Sequence, residues 1–358
     1  MRVGILSYPM LFQREGGLQI QVRETIKALN RIGQHPASKI EVELVDPCRT
    51  RLDDYDIVHV FAAINGNHRI VEAAHELGVP VVLSPLISPG WNRSNGTRAR
   101  VADRVLGNLT AWNVQTSYAQ TRRALQLATL IVALGETEKN AINAAFLIEP
   151  EKVRVFPNGI SPHFFEAEPT LFRARSHISG QFVLMVGAIS PYKNQLGMAQ
   201  AMSELALPFV MIGEAQERDT DYLREVKEVP GVTWMGAFKH DDRMLASAFA
   251  AASVFALPSQ GEVFPLTVLE ALAAGTPVVM TSESALSLPD SGFALKRIRW
   301  DDSTAQKRAV MSFIAEPPDR QQVRALVRQF TWDRVAEQIA GCYAEVLTRA
   351  REGERLAV

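Results

Sequence analysis

Residues 258–279 read PSQGEVFPLTVLEALAAGTPVV, from Pro258 to Val279, directly after the apolar run Val254–Leu257. The run has the length and apolar character of a buried strand. Pro258, Ser259 and Gly261 then turn the chain, a helix begins near Phe264, and another strand leads out from Pro277. Strand, turn, helix, strand is the repeating unit of a parallel sheet. Two carboxylates sit in this unit, Glu262 in the turn and Glu270 on the helix, eight positions on. The bare spacing also fits a solvated helix face. Here, however, both acids are embedded among small apolar residues, where a carboxylate without a partner is costly. The amides of Phe264, Leu266 and Thr267 at the helix start lack intrahelical acceptors and carry the positive end of the helix dipole, an arrangement that suits a phosphate. A carboxylate accepts two hydrogen bonds at once, as from a sugar diol.

The same alternation extends in both directions. Val3–Leu6, Glu41–Val45, Ile57–Val60, Val81–Leu83, Leu130–Ala133 and Val153–Phe156 read as a first set of strands. Phe182–Val186, Phe209–Ile212, Val232–Met235, Val254–Leu257 and Val278–Met280 read as a second. Helical periodicity covers Gln19–Arg31, Glu72–Leu77, one long stretch from about Arg98 to Leu127, and Trp332–Arg349. Between the sets lies Pro157–Thr170 (PNGISPHFFEAEPT), whose Pro, Asn and Gly mark a linker. The expected fold is therefore α/β, with two Rossmann-like domains whose parallel sheets face each other across a cleft. In such sheets ligands bind outside the carboxyl ends of the strands.

Composition narrows the function. With 358 residues there is chain for two domains at about 150 residues each. A net charge of −1 provides no global field for nucleic acid. Cys48 and Cys342 lie too far apart in sequence for a CxxC metal site or a disulfide framework. The N-terminal MRVGILSYP reads as a strand start rather than a signal peptide, and Leu245–Leu257 is too short to cross a bilayer. A cytoplasmic protein, at most peripheral at the inner membrane face, is expected.

With these elements in place, the chain resembles the retaining, GT-B-fold glycosyltransferases of family 4, which use nucleotide-sugar donors. Glu262 and Glu270 match their Glu-x7-Glu element. GGLQIQVRETIKAL (Gly16–Leu29), YDIVHV (Tyr55–Val60), ATLIVALGETEKNAI (Ala128–Ile142), VRVFPNGISPHFF, VGAISPYKN and FTWDRVAEQIAGCYAEVL match further elements in order. The resemblance implies an acceptor domain over residues 1–163, a donor domain over 164–330, and a last helix, 331–358, crossing back to the first domain. It implies that Glu270 bonds the ribose hydroxyls, that Glu262 contacts the donor sugar, and that the backbone from Phe264 through Pro265 and Leu266 to Thr267 holds sugar and diphosphate. Lys193 matches the lysine that neutralises the diphosphate; a compact ammonium suits that task. Gly16 and Gly17 match the Gly-Gly loop, where a missing Cβ lets backbone approach phosphate. The implied catalytic pair is Glu262 and Lys193. The reaction implied is transfer of a hexose, with retention, to a glycan, a lipid-linked saccharide or another hydroxyl acceptor. The nucleotide-diphosphate sugar is a co-substrate, and neither a cofactor nor a metal is required.

Three departures stand out. Where the family carries Gly-Arg, this chain has Gly187-Ala188, the loss of an anion contact of about 1.5–3 kcal/mol. Val263-Phe264-Pro265 replaces Gly-Phe-Gly, with Pro265 acceptable at a helix start. Ser84-Pro85-Leu86 stands where many members place a His. These departures motivate a second reading, a catalytically impaired protein that keeps the fold to bind glycan or a partner. Phe238, in the loop where the family receives the base, reads as a core residue. Two D-x-D triplets, Asp54-Tyr55-Asp56 and Asp219-Thr220-Asp221, read as a strand approach and a helix start. His59 reads as a strand histidine. Arg93, Arg98, Arg100, Arg104, Arg122 and Arg123 make the first domain locally basic, either as a solvated surface or for a phosphorylated or lipid-linked acceptor, and Trp91 and Trp112 pack a sugar ring or the core.

Overall fold

The computed structural model describes residues 1–13, 16–34, 39–110 and 114–356, with side chains through residue 350. Trp112 lies outside the described residues. Two compact units emerge: Met1–Gly159 with the C-terminal segment from Trp332, and Ile160–Thr331.

Along the first unit run β1 (Arg2–Leu6), α1 (Gly17–Gly33), β2 (Glu41–Leu44), β3 (Ile57–Phe61), α2 (His68–Glu76), β4 (Val81–Ser84), α3 (Arg93–Leu109), α4 (Ser117–Leu127), β5 (Leu130–Ala133), α5 (Glu136–Phe146) and β6 (Val153–Val155). The strands form one parallel sheet in the order β2-β1-β3-β4-β5-β6. Central strands are covered on both faces, so β3 (IVHVF) and β4 (VVLS) are wholly buried. At the edge, β2 (EVEL) buries only Val42. Helical periodicity persists through residues 98–127, but the segment is two helices. Thr116 accepts a hydrogen bond from the Ala119 amide and starts α4 as a new helix.

The second unit comprises α6 (Pro162–Phe165), α7 (Thr170–Ser176), β7 (Val183–Val186), α8 (Gln195–Glu204), β8 (Phe209–Ile212), α9 (Thr220–Glu228), β9 (Val232–Trp234), α10 (Arg243–Ala251), β10 (Val254–Leu257), α11 (Leu266–Ala273), β11 (Val278–Thr281), β12 (Leu295–Ile298), α12 (Ser303–Ala315) and α13 (Arg320–Ala325). Its parallel sheet has the order β12-β11-β10-β7-β8-β9. The strand β7 is the first of this unit, with β8 on one side and β10 on the other. Strand order therefore reverses between β7 and β10, and loops leaving the carboxyl ends of these neighbours splay apart to leave a binding crevice.

A closing helix, α14 (Trp332–Leu356), belongs to the first unit and packs on α1. The Pro157-Asn158-Gly159 turn explains its glycine: a Cβ on Gly159 would stand 2.5 Å from the Trp332 nitrogen.

Candidate active site

Two loops meet at the β7/β10 switch point. The first follows β7 through Gly187, Ala188 and a single 3-10 turn, Pro191–Lys193, into α8. The second follows β10 through Pro258–Pro265 into α11. Hydrogen bonds join them: the Gln260 amide donates to the Tyr192 carbonyl at 2.9 Å, and the Tyr192 hydroxyl to the Gly261 carbonyl at 2.8 Å. Burial, with the charge of Glu262, raises the Tyr192 phenol above its ordinary 10, which keeps it a donor.

The turn before α11 is fixed from its other side as well. The Glu262 amide donates to the Glu283 carbonyl at 2.8 Å, and the Ala285 amide to the Val263 carbonyl at 3.0 Å. The helix begins at Leu266 rather than near Phe264. Pro265, with φ −71° and ψ 115°, is its extended cap, and Phe264, as the residue before a proline, is biased away from helical geometry. Phe264, Pro265 and Leu266 are buried, while Thr267 is half-buried. The Leu266 and Thr267 amides have no acceptor within the helix.

This geometry brings Lys193 and Glu262 together: Nζ lies 2.5 Å from Oε1, with the side chains only 23% and 12% exposed. At that burial the attraction exceeds that of a surface pair. Glu270, on α11, is 2% exposed. A carboxylate this deep needs a partner, and it has one in His240, whose Nε2 lies 2.8 Å from its Oε1. Ala188 is exposed at the end of β7, and Lys193 is the cation that its loop carries to the turn.

The other sequence-predicted residues are placed as follows. Gly16 caps α1 and Gly17 opens it, both in the first unit. Gly16 has φ −177°, extended backbone that any residue adopts, and a Cβ there would meet nothing within 4 Å. Phe238 is only half-buried, which corrects the expectation of a core residue; it sits in a loop at the edge of the sheet, after β9. Trp91 packs on Tyr118 and Phe146, with ring centroids 5.6 and 5.1 Å away. His59 is fully buried in β3. In the D-x-D triplets, Asp56 accepts the Arg2 amide and Asp221 pairs with Arg224. Among the described residues no group of three or more His, Cys, Asp or Glu could hold a metal, and no helix is long and apolar enough to cross a membrane.

The family described as Glycosyl transferases group 1 matches residues 180–306, the stretch that holds Lys193, His240, Glu262 and Glu270. A D-inositol 3-phosphate glycosyltransferase of Stackebrandtia nassauensis is 24% identical over 317 residues, covering 82% of this chain and 69% of that protein. Among solved structures, sucrose-phosphate synthase from Thermosynechococcus elongatus is similar with a TM-score of 0.73 and 16% identity, covering 97% of this chain and 99% of that one. A glycosyltransferase from Rickettsia africae gives a TM-score of 0.71 and 13% identity over 97% and 98%. The chain is a glycosyltransferase.

The fold of this glycosyltransferase is GT-B, and glycosyl transfer is its class of reaction. Sequence reasoning missed His240. In the string FKHDD it reads as part of a solvated loop, and its partner is 30 positions away. The available signal was indirect: the buried Glu270 required a donor, and the loop after β9 carries one.

Proposed function

We propose that this glycosyltransferase moves a hexose, with retention, from a nucleoside-diphosphate sugar to a hydroxyl acceptor, and that the second unit holds the donor. The observation that carries this reading is the set of groups at the β7/β10 switch point: Lys193 against Glu262, the open amides of α11, and a second carboxylate, Glu270, about one turn into that helix. Lys193 and the amides of Leu266 and Thr267 suit a diphosphate, Glu262 the sugar, and Glu270 the ribose. Resemblance to the retaining family 4 enzymes supports same-face transfer.

Chemically, the bond from the anomeric carbon to the diphosphate oxygen breaks and a bond to the acceptor oxygen forms on the same face. The acceptor proton passes to the departing phosphate oxygen, so no protein base is required. What this chain contributes is position and electrostatics: charge growing on the leaving diphosphate is met by the ammonium of Lys193 and the fixed amides of α11. Lys193 must then share its charge between Glu262 and the phosphate, which couples diphosphate arrival to release of the Glu262 carboxylate for the sugar hydroxyls. Charge compensation by Lys193 implies activity that survives EDTA.

For the acceptor, α3 supplies Arg93, Arg98 and Arg104, all exposed and without a carboxylate partner among the described residues. Arg100, Arg122 and Arg123 are instead engaged by the Ala145 and Phe146 carbonyls and by Glu72. Three open guanidiniums suit a phosphorylated acceptor, soluble or lipid-linked, and the Stackebrandtia relative is named for a phosphorylated polyol. Val101, Val105 and Leu109 are exposed on the same helix, which supports peripheral contact of this face with a membrane carrying such an acceptor.

The reading is tested with a panel of UDP-, GDP- and ADP-hexoses. One of them should raise the melting temperature and, without acceptor, slowly release nucleoside diphosphate. Stabilisation with no release over long incubation would favour the impaired, binding-only reading. No stabilisation by any member would remove the donor assignment.

A further inference from the structure

We propose that His240 is a positioning residue that aims the Glu270 carboxylate at the ribose diol of the donor; this rests on the donor reading given above. His240 stands in the loop between β9 and α10, just ahead of Asp242, which caps α10 by accepting the Met244 amide. Its ring is wedged beside α6, with centroids 5.4 Å from Phe164 and 5.9 Å from His163, and its side chain is 13% exposed. From there Nε2 reaches Oε1 of Glu270 at 2.8 Å. No other described group bonds that carboxylate, so Oε2 is left unengaged on a side chain that is 3% exposed. A vicinal diol presents two hydroxyl donors, and a carboxylate can meet both only when its plane is correctly turned. With one oxygen pinned by the imidazole, that plane is set before the nucleotide arrives, so the ordering cost falls on the fold rather than on binding.

The residue types fit this division of labour. Lys193 and Glu262 neutralise each other, whereas Glu270 would stand alone at depth without His240. An imidazole supplies one directed N–H from a ring clamped by aromatic neighbours, which an exposed, flexible lysine could not do.

The test is calorimetric titration of the full chain with UDP, GDP and ADP, and then with the 2′,3′-dideoxy form of the tightest binder. Wild type should prefer the ribose form by about ten- to hundredfold, the range for hydrogen bonds to a charged group. Glu270→Ala should erase that preference. His240→Ala should erase most of it while keeping binding of the dideoxy form, and His240→Gln, which still offers an N–H at comparable reach, should restore it. If the alanine variant does not fold, His240→Asn, polar but too short to reach Oε1, carries the same expectation. Wild-type preference retained in His240→Ala or His240→Asn, or lost in His240→Gln, overturns the role of His240 and leaves the donor reading intact. A preference that survives Glu270→Ala, or is missing in wild type, overturns the donor reading itself.

Discussion

The Tyr343 hydroxyl on α14 lies 2.7 Å from Nδ1 of His59, at the centre of the first unit's sheet. On the other side of the ring, Nε2 lies 2.9 Å from the Ser84 hydroxyl. The closing helix is thus tied to β3 and β4 through one buried imidazole. Burial takes that imidazole from its ordinary 6.5 down to about 3. Between those values the unfolded chain takes up a proton that the folded chain refuses. The contribution of His59 is therefore complete above pH 6.5 and is lost as the pH falls toward 3. His59→Gln removes the titration, so its stability deficit against wild type should narrow by about 2 kcal/mol between pH 7 and pH 5. Urea unfolding at the two pH values measures the gap; a constant gap would mean the ring is not held neutral.

Glu138 has the opposite slope. It lies in the first turn of α5, fully buried, and accepts the Leu134 and Ile87 amides at 2.7 Å each. Burial pushes its carboxyl from 4.5 up to about 7. The folded state therefore holds a proton that the unfolded state releases, and stability falls as pH rises from about 4.5 to 7. The advantage of wild type over Glu138→Gln should shrink by about 2–3 kcal/mol between pH 5 and pH 8. Because His59 and Glu138 oppose each other in this window, the single variants separate the two slopes. A gap that widens with pH would contradict the protonated carboxyl.

Lys193→Ala should act on turnover far more than on folding. It removes the counter-charge to the diphosphate and leaves Glu262 facing that anion, a loss on the order of 10²–10³-fold in kcat. Because the pair is only 23% and 12% exposed, its removal should lower stability by more than a surface pair would, about 1–3 kcal/mol. Steady-state rates with the donor found in the panel, alongside melting curves, check both parts. A large fall in stability with a normal rate would make the pair structural.

Gly213→Ala should destabilise the second unit by about 2–4 kcal/mol. Gly213 has φ +156°, and a Cβ there would stand 1.9 Å from the Gly187 carbonyl oxygen. The two glycines let the ends of β7 and β8 close beneath the Lys193 loop. Thermal unfolding reads the loss, and an unchanged melting temperature would show that the loop has room to move.

Much of this was legible in the chain itself. The wholly buried strands VLMV, FVMI and VFAL are apolar runs because both sheet faces are covered, and such runs are visible without coordinates. The turn into α11 was visible for the same reason: Pro258, Gly261 and Pro265 punctuate it. The pairings were not. Lys193 meets Glu262 across 69 positions and His240 meets Glu270 across 30, contacts made by sheet order rather than by local spacing. The break between α3 and α4 escaped a periodicity reading because both halves are helical; its mark was a Thr-Ser pair at positions 116–117, with Thr116 as the cap.

The central claim is that the turn and helix at Glu262–Glu270 hold the nucleotide of an activated sugar. Calorimetry with the nucleoside diphosphate that wild type binds most tightly addresses it directly. Glu270→Ala, folded as wild type by circular dichroism, should lose affinity on the order of tenfold or more. Unchanged affinity in that variant would contradict it.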